Sequence, residues 1–299
     1  MDQGNTAFVL ISAALVLLMT PGLAFFYGGM VKAKSVVSMM MLSFGSLALI
    51  AVLWILYGYA IAFANAGSET FFGIDGWFGI DTSFLGLEAQ VAESADPQGA
   101  FPSLAFVAFQ ATFAIITVAL ISGAIADRAK FGAWMVFAGL WATLVYFPVA
   151  NWVFNFTLED GKVVDGGWIV YNLGAIDFAG GTAVHINAGA AGLALAIILG
   201  KRFGFSKGIT QPHNVPLTLL GVALLWFGWF GFNAGSEVAA DGLASVAFIN
   251  TIGAPAAAML GWIFVEKLKH GKATSIGAGS GAIAGLVAIT PACASLDPV

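Results

Sequence analysis

The chain has 299 residues, of which 60% are hydrophobic and 9% charged, with a mean hydropathy of +0.92 and a net charge of −5. A soluble domain carries about 25% charged residues, so a water-soluble enzyme or binding module is excluded and lipid is the solvent. The acidic balance also argues against a nucleic-acid partner, which needs a basic surface.

A helix needs roughly 20 apolar residues to cross the hydrocarbon core. The first such segment is 7–31; no basic stretch precedes it, so it does not read as a cleaved signal peptide. Lys32 and Lys34 follow, and the second segment is 39–63. The connection 64–100 is the longest, carries Glu69, Asp75, Asp81, Glu88, Glu93 and Asp96, and is expected to fold over one mouth of the bundle. Segment 101–126 places Phe109 and Phe113 one helical turn apart on one face, and Arg128 and Lys130 follow it. The fourth segment is 131–154.

The fifth segment, 179–200, contains His185, the one histidine inside an apolar segment. An ionisable side chain at bilayer depth is a functional candidate by default. Asp177 stands eight residues earlier, as the N-cap of this helix or as a direct ligand on the same side, two roles that are compatible. Lys201, Arg202 and Lys207 follow. Segment 215–236 carries Trp229, Phe232 and Ser236 at i, i+3 and i+7, one helix face. Rings with a hydroxyl among them suit a small cation, attracted to the ring faces. Segments 243–267 and 274–295 complete a set of eight, separated by Lys267, Lys269 and Lys272. Gly277, Gly281 and Gly285 form two overlapping G-x-x-x-G units, expected to be a packing face.

These segments are too long and too uniformly apolar for barrel strands. Ten of the eleven basic residues fall on one side of the bundle, with only Lys162 on the other. The positive-inside rule makes that side cytoplasmic and puts the N-terminus outside, in a multi-pass protein of the cell membrane. The single cysteine, Cys293, cannot form an internal disulfide. No phosphate loop, zinc spacing or dinucleotide fingerprint is present, and no cofactor or metal is expected. A serine hydrolase using Ser236 or Ser280 with His185 lacks a serine elbow at a helix break, so an enzyme is not expected.

The stretches LMTPGLAFFYGGMV (18–31), DFAGGTAVHINAGAAGLALAIILGKR (177–202), GWFGFNAGSE (228–237) and SGAIAGLVAITPAC (280–293) resemble the ammonium transporters of the Amt/Mep/Rh family. The resemblance implies an all-α bundle of two inverted five-helix repeats plus one helix. Here it covers about eight of eleven helices, a first repeat at about 1–205 and an incomplete second at about 206–299. It implies ammonium transport through a hydrophobic pore, with Phe113 and Phe232 as a phenyl gate and His185 as the first of two pore histidines. Phe109, Trp229 and Ser236 would line an outer recruitment site, shaped from behind by Asp177. Many members have a tryptophan at the position of Phe154, so either Phe154 or Trp152 would complete that site. The second pore histidine would lie beyond residue 299, which would leave His185 exposed on an open flank. A homotrimer and a cytoplasmic PII-type regulatory partner are also implied. Conduction of neutral ammonia or carbon dioxide, and ammonium sensing, are the rival readings.

Overall fold

The structure is a computed structural model that describes residues 1–64, 79–97, 99–159, 162–202, 205 and 211–298. Among these residues eight helical spans are long and apolar enough to cross a membrane. They are Gln3–Met30, Ala33–Ala62, Ser103–Ile125, Phe131–Phe154, Gly181–Leu199, Val215–Glu237, Gly242–His270 and Ser275–Ala292. Each matches an expected segment, displaced at its ends by a few residues. The calls on Glu69, Asp75 and Lys207 lie outside the described residues.

The first span runs along the sixth in the most extensive helix pair of the fold, and the seventh along the eighth in the next. Small residues permit this. A Cβ on Gly221 or Gly228 would run into the first span's backbone at Phe26 or the side chain of Met19. Packing replaces the hydrophobic drive that is missing between helices in lipid. The glycine repeat of the eighth span acts likewise: Gly281 abuts Ala258, Met259 and Trp262, and Gly285 abuts Ala254 and Pro255. The packing reading of that motif is therefore correct for these two positions.

Two apolar cores result. One joins the second, third and fourth spans around Trp54, Trp134, Tyr146 and Phe147. Its indoles are satisfied across spans, Trp54 Nε1 donating to the Val107 carbonyl (3.1 Å) and Trp134 Nε1 to that of Leu42 (3.0 Å). The other core joins the first, third, sixth and eighth spans and contains Phe109, Phe113, Trp229 and Phe232.

The described part of the second connection folds onto the ends of the second and third spans. Asp81 N–H donates to the Ala60 carbonyl (2.9 Å), and the short helix Glu88–Ala95 brings Glu93, whose carboxylate accepts from Ser103 N–H (2.8 Å). One element was not expected. Strands β1 (Phe156–Glu159) and β2 (Lys162–Gly166) form an antiparallel hairpin after the fourth span, with Thr157 opposite Asp165 and a register shift between Thr157 and Leu158.

Candidate ring-lined path

The fifth span starts abruptly, and Asp177 is the reason. Its Oδ1 accepts from the N–H groups of Gly180 (2.7 Å) and Gly181 (2.6 Å), and its Oδ2 from Thr182 (2.6 Å) and Ala183 (3.1 Å). A helix start leaves four such donors without partners; here one carboxylate takes all four. Asp177 therefore caps this helix start, the first of the two compatible roles considered for it. Gly180 enters at φ 111°, a left-handed conformation open to glycine. Gly181 lies against Pro291 at the end of the eighth span, where a Cβ would collide.

The first turns then widen. Gly181–Ile186 is a π-helical stretch, with His185 N–H donating to the Gly180 carbonyl five residues back (3.1 Å). The imidazole reaches the sixth span and stacks on two rings there. Its centroid lies 5.4 Å from that of Trp229 with planes 25° apart, and 5.7 Å from that of Phe232 with planes 18° apart. The ring's Nε2 is buried without a hydrogen-bond partner among the described residues. His185 is partly exposed rather than open on a flank, because the two rings cover it. Farther along the same helix Ile186, Leu193 and Ile197 are 67%, 64% and 72% exposed.

Above the histidine a cavity of about 810 Å³ opens on the side bearing the hairpin. Phe113, Phe154, Asp177 and Ser236 line it. Phe113 packs at 4.4 Å against Phe232, planes 36° apart; Phe232 is not among the cavity's described lining residues and lies between Phe113 and His185. The rings therefore run from the cavity through Phe113 and Phe232 to His185 and Trp229. Ser236 lines the cavity while its Oγ donates to the Phe232 carbonyl (2.7 Å).

Two further residues expected around the outer site, Trp229 and Phe109, do not line this cavity among the described residues. Trp229 is 2% exposed, below Phe232, and its Nε1 donates to Thr290 Oγ1 of the eighth span (2.9 Å). Phe109 is 1% exposed and packs behind Phe113 (4.8 Å) toward Gly235. Sharing a helix face with Ser236 or Phe113 did not bring them into the cavity, because the face extends about 1.5 Å per residue along the axis. Between the two residues considered for the fourth span, Phe154 lines the cavity, whereas Trp152 packs on Trp168 (6.0 Å).

The cavity also contains residues not singled out from sequence: Gln110, Tyr171, Glu237, and the hairpin's Phe156, Leu158 and Val163. Gln110 carried a signal, a lone amide in an apolar helix three residues before Phe113. The hairpin carried one as well, an Asp160-Gly161 pair between two branched and aromatic runs.

The model of the Ammonium Transporter Family matches residues 7–299. An ammonium transporter of Mycobacterium tuberculosis is 58% identical over 304 residues, covering 99% of this chain and 63% of that protein. One of Bacillus subtilis is 50% identical over 298 residues, covering 100% of this chain and 68% of that protein. The chain thus spans less than two thirds of the mycobacterial relative. The crystal structure of Mep2 from Saccharomyces cerevisiae superimposes with a TM-score of 0.86 at 35% identity, over 100% of this chain and 65% of that one. A match across nearly the whole chain, in sequence and in fold, has one meaning: the chain belongs to the ammonium transporter family.

Proposed function

We propose that this chain carries ammonium, or ammonia after loss of a proton, from the outer cavity past Phe113 and Phe232 to His185. The observation that supports it best is the unbroken ring series Phe113–Phe232–His185 beneath the cavity, ending at a buried ring nitrogen with no partner. The cavity, with Phe154 and Ser236, recruits the cation. Ring faces attract it with about 0.5–1 kcal/mol at exposed sites such as this cavity, and more where water is excluded. Phe113 and Phe232 close the route to hydrated ions. The vacant Nε2 then accepts a hydrogen bond from a molecule that carries N–H donors, which alkali ions lack. Trp229 fixes the imidazole rather than meeting the cation outside, and Asp177 holds the helix start that aims it. The basic side of the bundle is cytoplasmic and the hairpin side is external. Family membership supports assembly as a homotrimer and a PII-type partner at the cytoplasmic face as parts of the same reading.

Uptake of labelled methylammonium tests this in cells that lack their own ammonium uptake. The chain is expressed alone and also joined to the remaining third of the mycobacterial relative. Saturable uptake in either arm, lost on His185→Ala, supports the reading. No uptake in both arms, with protein present in the membrane, rejects it.

A further inference from the structure

A second cavity, of about 770 Å³, lies at the opposite end of the bundle, where the second and fourth spans begin. That volume is in the range of small-molecule sites, roughly 300–1,000 Å³. Lys32, Lys34 and Lys130 line it, with Ser35 and Ser38 among them. Among the described residues the one acid in its lining is Asp127, and its charge is engaged: the carboxylate pairs with Arg202 at 2.5 Å and its side chain is 14% exposed. Arg128, next in sequence, is turned away to the carbonyls of Gly200 and Ala124. The pocket is therefore cationic, and two helices begin at it without a side-chain cap, at Ser35 and Lys130.

Its rim is the opposite in character. Val37, Met41 and Phe131 line the same pocket and are 74%, 44% and 43% exposed, on spans that cross the hydrocarbon core. A cationic hollow at headgroup depth, continuous with an apolar rim, matches an amphiphile with an anionic head. We propose that this pocket binds the phosphate head of an anionic phospholipid of the adjacent leaflet, its acyl chains lying on Val37, Met41 and Phe131. A zwitterionic lipid would place an ammonium group among three lysines. A free phosphate ion would leave the apolar rim unused. Basic pockets between helices on the positively charged side of a membrane protein suit such headgroups. The proposal does not depend on the transported species.

Native mass spectrometry of the purified protein, titrated with phosphatidylglycerol or phosphatidylcholine, tests it. Phosphatidylglycerol is expected to bind more tightly than phosphatidylcholine. Lys34→Gln with Lys130→Gln should weaken phosphatidylglycerol binding by about fivefold per lysine, roughly 25-fold together. Lys269→Gln with Lys272→Gln, both exposed elsewhere on the basic side, should leave it unchanged. If the first pair does not fold, Lys34→Gln alone reads the same comparison at about fivefold. Equal binding of the two lipids, or equal loss in the control pair, overturns the proposal. Displacement of the lipid by excess inorganic phosphate overturns it in favour of a free-anion site.

Discussion

His185 of the fifth span lies nearly face to face with Trp229 of the sixth, ring centroids 5.4 Å apart. The indole is fixed in turn by Thr290 of the eighth span, so three spans hold one imidazole. Thr290→Val keeps the shape and removes the acceptor for a buried indole N–H. Leaving such a donor unsatisfied costs about 1–3 kcal/mol. The expected outcome is a lower melting temperature in detergent, recovered by Thr290→Ser; equal melting of all three proteins would show that the bond contributes nothing.

Asp177 satisfies four amides with two oxygens. Alanine at an N-cap costs about 0.5–2 kcal/mol when one donor is lost, and this site loses four. Asp177→Ala is expected to speed hydrogen exchange at the amides of residues 180–183 and to reduce uptake. Asp177→Asn, with one acceptor oxygen, should fall between it and the parent. Exchange rates unchanged by alanine would remove the cap from the account of His185.

Two glycines of the same helix give a matched contrast. A methyl on Gly181 meets Pro291, whereas one on Gly189 meets nothing within 4 Å. Overpacking costs roughly 1–3 kcal/mol, and Gly in a helix is worse than Ala by about 1 kcal/mol. Gly181→Ala should therefore lower the melting temperature and uptake, while Gly189→Ala should be neutral or stabilising. The reverse order would mean that the fifth span does not rest on Pro291.

The eight spans were legible because a span is a matter of length and missing charge, both visible in one sequence. The cap at Asp177 and the packing face at Gly281 and Gly285 were legible for similar reasons, since each depends on near neighbours. Depth was not. The i, i+3, i+7 spacing of Trp229, Phe232 and Ser236 identified their common face but not that they stand at three levels, one in the cavity and two below it. The His185–Trp229 stack depends on a π-helical turn, which no local pattern announced. Phe156, Leu158 and Val163 entered the cavity through a hairpin too short to register beside spans of 18 residues or more.

On the basic side, Asp127 provides a pH test. Partial burial works against its ionisation, but hydrogen bonds from Ser35 and Arg202 and the charges of Arg202 and Lys32 prevail, holding its carboxyl below the ordinary value. A depressed folded-state value means that the unfolded chain binds the proton more readily. The resulting stabilisation is full above the unfolded value, about 3.9, and is lost as pH falls through the folded one. The pair is partly solvated, so the effect is small. Melting measured from neutral pH downward should show a loss confined to below about pH 4, and Arg202→Gln should reduce that loss. An identical pH profile in the variant would exclude the Asp127–Arg202 pair as its source.

Phe154 is the cavity residue whose replacement is most informative about recruitment. It lines the cavity and stands 6.4 Å from Phe113, edge to face. If its ring attracts the cation, a stronger ring should attract it more, and tryptophan is the best of the three aromatic side chains, each contact being worth about 0.5–1 kcal/mol at exposed sites. Phe154→Trp is therefore expected to lower the KM for methylammonium by up to about twofold, the difference between two ring contacts. Phe154→Leu keeps an apolar side chain, loses the whole ring contact and should raise KM by roughly two- to fivefold. Both variants should leave the maximal rate nearly unchanged, because a contact made before the gate changes binding and not passage. A KM that ignores the ring, or a change confined to the maximal rate, would place recruitment elsewhere in the cavity, with Ser236 and Gln110 the next residues to test.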